Sequence, residues 1–304
     1  MGNKKIIMRK VKTALISLSD KSYLKPLLKE LAKNNIKIIS SGGTFKEIRK
    51  LKFKCLEISD FTGFNEILEG RVKTLHPKIH SGILNKRNKR SHLKDMQKNR
   101  FENIDLVIVN FYPFEKTIKK TNSHSKILDN IDIGGPTMVR AAAKNYSAVT
   151  VITSFDQYSE LINELKKNKG YTTLKFREKM SRVAFSETAY YEAVISNYLN
   201  NYSNISFPKR KILYTNLTQK LRYGENPHQV GAFYSQNKEN QISQIHGKTL
   251  SYNNYSDIFS ALAVTRSLPK NTGTVIVKHG NPCGVSTLKN NIDSYKFALQ
   301  SDPI

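Results

Sequence analysis

The stretch Ile104-Asp-Leu-Val-Ile-Val-Asn110 narrows most what this chain can become. Its branched apolar residues follow one another without the two-residue alternation of a strand that faces water. It therefore reads as a strand covered on both faces, the kind that builds parallel sheets. Thr13–Leu18 is a second such run, and Ser19-Asp20-Lys21 follows it. Next comes a segment in which Leu24, Leu27, Leu28 and Leu31 share one helical face. Ile36–Ile39 repeats the pattern, ending in Ser40-Ser41-Gly42-Gly43-Thr44 ahead of a helix expected from Phe45 to about Leu51. Asn130–Tyr146 has the layout of a loop feeding a helix, with Gly134 and Gly135 before Pro136, and Ala148–Thr153 returns as a strand. Strands and helices alternate through about residue 155, which predicts an α/β unit with a parallel sheet and helices on both faces.

In such a sheet, ligands collect outside the carboxyl ends of the strands, where the polar turns lie. A helix amino terminus offers unpaired N–H groups and partial positive charge to an anion. Ser41-Gly42-Gly43-Thr44 suits that task, and equally suits an ordinary turn with a capping Thr. Glu69–Leu84 concentrates Arg71, Lys73, Thr74, His76, Lys78 and His80 around Gly70 and Pro77. Arg grips phosphate through a planar fork and Lys acts as a point charge, so one loop can hold an anion and spare an amine for chemistry. A solvated basic loop has the same composition. The strand ending at Asn110 delivers Phe111, Tyr112 and Pro113, where Tyr112 fits either a site or a core with its hydroxyl satisfied. Asp132 and Lys144 bracket a helix, and capping alone would explain both.

Further along, Asn85–Asn103 is basic, poorly periodic and expected to cover the surface. Residues 156–168 and 174–200 are helical by periodicity and read as a helical appendage. Asn201–Lys211, with Pro208 and three consecutive cations, is the candidate linker, and a second unit begins near Leu213. That unit contains Leu221-Arg222-Tyr223-Gly224-Glu225-Asn226-Pro227-His228-Gln229 and a β-branched strand leading to Lys278-His279. A neighbouring cation lowers an imidazole's pKa and favours the neutral base, which suits proton transfer; a plain surface pair looks alike. Gly247-Lys248-Thr249 lacks the upstream glycine of a nucleoside-triphosphate loop, since Ile242 stands there.

The formal net charge of +26 raises the possibility of nucleic-acid binding. The excess is spread from Lys4 to Lys211 among Asn residues, without a zinc finger, RNP motif or concentrated basic helix. It is read as Lys-rich surface that favours anionic substrates rather than as a nucleic-acid partner. The two cysteines, Cys55 and Cys283, are far apart and fit a reducing compartment without a disulfide framework or cysteine zinc site. The first residues lack a signal-peptide core and no stretch approaches a membrane span. A cytoplasmic enzyme is expected.

Together these stretches resemble the bifunctional purine-biosynthesis family that joins an IMP cyclohydrolase domain to an aminoimidazole carboxamide ribonucleotide (AICAR) formyltransferase domain. The matching pieces are Ser19-Asp20-Lys21, Ser41–Thr44, Gly70–His80, Asn110–Phe114, Asp132–Gly135, Arg140–Asn145, Leu221–Gln229, Lys278-His279 and Asn281–Gly284. The resemblance implies a methylglyoxal-synthase-like three-layer α/β/α domain over residues 1–204, with its helical appendage. It implies an incomplete cytidine-deaminase-like α/β domain over 205–304. It places substrate contacts on Ser19, Lys21, Ser41, Gly42, Gly43, Thr44, Arg71, Thr74, Asn110 and Gly134, with catalysis on Lys73, Tyr112, Asp132 and Lys144. For the transferase it implies AICAR contacts on Arg222, Tyr223 and Asn254, a base at His279 and a stabilising cation at Lys278. Ribonucleotides are then the substrates, 10-formyltetrahydrofolate is the formyl donor, no metal is required, and the protein is a homodimer. Family members continue past the point where Ser301–Ile304 ends this chain, so a fragment or natural truncation with an inactive transferase is expected. Glu69 and Ser81 stand where glycine is common. The alternative is a noncatalytic sensor of phosphorylated ligands on the same domain.

Overall fold

The computed structural model describes residues 7–236 and 242–303. It divides into two compact units, Met1–Ile212 and Leu213–Ile304.

The first unit is built on five strands: β2 (Thr13–Leu18), β3 (Lys37–Ser40), β4 (Leu56–Glu57), β5 (Leu106–Asn110) and β6 (Thr150–Ile152), after a short β1 (Met8–Lys10). They lie in the order β4-β3-β2-β5-β6, and every pairing is parallel. Ala14 faces Ile38 on one side and Leu106 on the other. Central β2 and β5 are buried along nearly their whole length, as their unalternating sequences predict. Burying each such Leu or Ile side chain contributes roughly 1.5–3 kcal/mol. The helices of this unit are α1 (Leu24–Lys33), α2 (Gly42–Lys50), α3 (Ile58–Thr62), α4 (Pro77–Leu84), α5 (Arg90–Lys98), α6 (Phe114–Lys120), α7 (His124–Asp129), α8 (Gly134–Lys144), α9 (Tyr158–Lys167) and α10 (Leu174–Tyr202). Strand β7 (Tyr171–Thr173) pairs antiparallel with β1.

Three expectations need correction. Helix α2 begins at Gly42, so the small residues form its first turn instead of preceding it. Residues 90–98 form helix α5, of which only Met96 is buried. Residues 156–200 are no appendage: Tyr158, Leu161 and Leu165 of α9, with Phe176, Met180 and Ala184 of α10, belong to the main core. Periodicity reveals that a helix has an apolar face and is silent on what that face covers. Helix α10 is locked further by Arg177, which is fully buried and donates to the carbonyls of Ile7, Tyr146, Thr172 and Ser147. Burial lowers the pKa of this guanidinium to about 10.

The sheet order places a topological switch between β2 and β5, the crevice where ligands bind in such sheets. Asn110 closes its floor. Its carboxamide oxygen accepts the N–H groups of Ser19 (2.6 Å) and Asp20 (3.0 Å), and its amide donates to the Asp20 carbonyl at 2.7 Å.

The second unit comprises hairpin β8 (Asn216–Lys220) with β9 (Ala232–Ser235), helix α11 (Tyr252–Thr265), hairpin β10 (Thr274–Lys278) with β11 (Asn281–Ser286), and α12 (Asn291–Gln300). Tyr255 and Ala298 are its only buried hydrophobic side chains among the described residues, while Phe259, Val285, Ile292 and Phe297 are exposed.

Candidate functional site

The site grows from three turns at the carboxyl edge of the parallel sheet. The first is the start of α2. Ser41 occupies the N-cap in extended conformation without a side-chain capping bond, which leaves first-turn N–H groups for a ligand. Gly42 sits at a φ of +52°, where a side chain is strained. Two amines flank this turn. A Cβ on Gly42 would lie 3.4 Å from the Lys73 Nζ, and one on Gly43 would lie 3.8 Å from the Lys21 Nζ. Two ammonium groups over a helix amino terminus form an anion cradle. Thr44 serves differently: it is buried, and its hydroxyl bonds both the N–H and the carbonyl of Leu18, fastening α2 to β2.

The second turn carries Lys73. Ile67 and Val72 bridge the loop, and Leu68, Glu69 and Gly70 all take positive φ, so Glu69 occupies a left-handed position that favours glycine. Thr74 is buried against Gly134. One motif histidine is spent on local structure. His76 caps α4 by accepting the Lys78 N–H at 3.1 Å. Burial holds His80 below the ordinary imidazole pKa, against its bond with the Thr74 backbone. Arg71 pairs with Asp129 at 2.5 Å, both side chains exposed.

The third turn leads into α8. Asp132 accepts the Gly135 N–H at 2.8 Å and the backbone N–H of Tyr112. Burial raises the Asp132 pKa, opposed by those two bonds and by the charge of Lys73. Burial also raises the Tyr112 phenol, with the Asp132 charge adding to it, so the phenol stays a donor at neutral pH. Lys73, Tyr112 and Asp132 therefore converge.

Lys144 does not join them. It is exposed in the last turn of α8, ten residues beyond Gly134 and so about 15 Å along the helix axis. The same helix end is tied to the carbonyls of Ile83 and Asn85 through Asn145.

Ser19, Lys21, Asn110 and Tyr112 line a cavity of about 630 Å³ whose remaining wall includes Phe155, Glu187, Tyr190 and Tyr191. Beyond the helical periodicity of residues 174–200, nothing in the sequence marked that wall. Among the described residues, no group of three or more His, Cys, Asp or Glu side chains is arranged to hold a metal ion, and no helix is long and apolar enough to cross a membrane.

In the second unit, the expected residues gather around the start of α11. Ser251 and Asn254 form a capping box there. Arg222 stacks over the Tyr223 ring at 4.9 Å, and hydrogen bonds from Ser251 and Arg222 lower the Tyr223 pKa. The Lys278–His279 turn is fastened one helical turn further on, where Asp257 accepts the Gly280 N–H at 2.7 Å. His279 itself adopts a φ of +55°.

Residues 142–304 match the family described as AICARFT/IMPCHase bienzyme, and residues 23–137 match an MGS-like domain. The bifunctional purine biosynthesis protein PurH of Bradyrhizobium diazoefficiens is 43% identical over 300 residues, covering 97% of this chain and 57% of the relative. Its counterpart in Acetivibrio thermocellus is 43% identical over 301 residues, covering 97% and 58%. That of Persephonella marina is 44% identical over 298 residues, covering 95% and 58%. The chain thus spans somewhat over half the length of these relatives. A solved structure titled "Crystal structure of ForH" is 28% identical with a TM-score of 0.56, covering 62% of this chain and 99% of that one. The three-layer α/β/α arrangement expected of the first unit agrees with the parallel sheet and the MGS-like match.

Proposed function

Because the chain belongs to the AICARFT/IMPCHase bienzyme family, we propose that its first unit is an IMP cyclohydrolase of purine biosynthesis, closing formyl-AICAR to IMP and water. The convergence of Lys73, Tyr112 and Asp132 beside the start of α2, with the Lys21 amine at its next residue, carries this reading. Lys21 and the N–H groups of α2 hold the ribonucleotide phosphate. In ring closure, the carboxamide nitrogen attacks the formyl carbon, and the carbonyl oxygen becomes an oxyanion beside the Lys73 ammonium. That nitrogen gives up one proton as the new N–C bond forms. The formamide nitrogen releases a second proton as the C=N bond forms and the oxygen departs as water. Asp132 orients the carboxamide and accepts its proton, while Tyr112, kept protonated, donates to the departing oxygen.

The second unit, on this reading, begins the AICAR formyltransferase, with Arg222, Tyr223 and Asn254 for the nucleotide, His279 as base, Lys278 as cation and 10-formyltetrahydrofolate as donor. Formyl transfer by these 304 residues alone is not expected. The cluster around α11 is largely open to solvent, and oxyanion stabilisation needs a water-excluded site. A cytoplasmic homodimer is the proposed working state, testable by sedimentation.

The test of the cyclohydrolase is direct. Purified protein mixed with formyl-AICAR should show the absorbance change of ring closure, and Lys73→Ala should lower turnover at least a hundredfold. Absence of turnover by folded wild-type protein would refute the reading.

A further inference from the structure

We propose that Tyr191 of α10 is a positioning residue for ring closure, a strut that fixes Tyr112 and Asp132 relative to each other. This assignment rests on the cyclohydrolase reading of the site. The Tyr191 hydroxyl accepts the Asp132 N–H at 2.9 Å and donates to the Asn130 carbonyl at 3.4 Å. Its ring lies 5.0 Å from that of Phe111, the residue before Tyr112, and meets Phe114 edge-on at 6.3 Å. The Tyr112 N–H in turn reaches the Asp132 carboxylate. One side chain therefore touches both reacting segments, and those segments touch each other, which closes a triangle.

The third corner is rigid. Helix α10 is anchored in the core through Phe176, Met180 and Ala184, and through buried Arg177. Supporting groups of this kind hold a reacting pair within the small tolerance that catalysis needs, and a misplacement of about 1 Å can cost about a hundredfold. The phosphate cradle depends instead on the start of α2 and on Lys21, with which Tyr191 shares no hydrogen bond or ring contact among the interactions described. Turnover and binding should therefore separate.

Tyr191→Phe keeps the ring and removes the acceptor of the Asp132 N–H. It should lower kcat about tenfold with KM changed less than about twofold, the loss of one hydrogen bond expressed in turnover. The acid limb of the pH profile should move upward, because the N–H bonds that hold the Asp132 pKa down loosen. Phe111→Leu cuts the strut at its other end and should show the same split, which tests the proposal even if Tyr191→Phe fails to fold. Tyr198→Phe is the control. That residue sits on the same helix, bonds His124 at 2.9 Å and packs on Phe114 at 5.7 Å, without contact to Asp132 or Phe111 among the interactions described. It should leave kcat unchanged. Wild-type turnover together with wild-type kcat in both strut variants overturns the strut and leaves the cyclohydrolase standing. A kcat loss in Tyr198→Phe equal to that in Tyr191→Phe also overturns it, since the effect would then come from helix packing. Folded wild-type protein without turnover would sink the underlying reading as well.

Discussion

The first turn of α8 has no room for a methyl group at Gly134, because a Cβ there would fall onto the Thr74 hydroxyl oxygen. Thr74 is 5% exposed and cannot swing into solvent. Two effects of Gly134→Ala oppose each other. Alanine in a helix is favoured over glycine by up to about 1 kcal/mol. Overpacking by a methyl against a buried, short side chain costs about 2 kcal/mol. The clash wins, so the single substitution should destabilise by about 1 kcal/mol, lowering Tm by roughly 2–4 °C. Removing the obstructing oxygen reverses the sign: once Thr74→Ala is made, the nearest remaining atom is Cβ of residue 74 at 3.7 Å, an ordinary contact. In that background Gly134→Ala should be neutral or stabilising, giving a coupling of about 2 kcal/mol in a double-mutant cycle. Urea unfolding followed by far-ultraviolet circular dichroism measures all four proteins, with unchanged m-values as the internal check. The same sign and size of effect in both backgrounds would refute the steric reasoning.

Arg177→Leu should cost at least about 3 kcal/mol, because it strands the carbonyls of Ile7, Tyr146, Thr172 and Ser147 in the interior. Arg177→Lys should not rescue it, since one ammonium cannot reach all four; a loss below about 1 kcal/mol in denaturant melts would contradict this account. Burial raises the folded-state pKa of Asp132 above that of a free carboxyl, so the folded protein binds more protons than the unfolded one between those two values. The contribution of this residue to stability therefore falls as pH rises through that window and stays low above it. Asp132→Asn should flatten the acid limb of turnover and remove that part of the pH dependence of unfolding, and identical pH–stability curves for the two proteins would exclude it.

The sequence alone determined the architecture of the first unit. Unalternating runs such as Leu106–Asn110 have no face that tolerates water, so they had to become central strands of a parallel sheet, and the polar turns after them had to line its carboxyl edge. Residue type alone left Tyr112 open between a site and a core and Asp132 between a site and a cap; the resemblance of the ordered motifs singled out Lys73, Tyr112 and Asp132. Periodicity could not say where α9 and α10 would pack, since an apolar face is the same whether it covers a core or a neighbour. Nor could motif membership separate Asn110 and Thr44, whose polar groups are spent on the backbone of the β2 loop, from groups left for a ligand. Lys144 shows the limit most plainly. It lies in the same stretch, Asn130–Tyr146, as Asp132, yet the rise of a straight helix carries it to the other end of α8. Tyr191, far along the chain and marked only by the helical periodicity of residues 174–200, arrives beside Asp132 because tertiary packing, which no spacing in the sequence encodes, lays α10 across the ends of both loops.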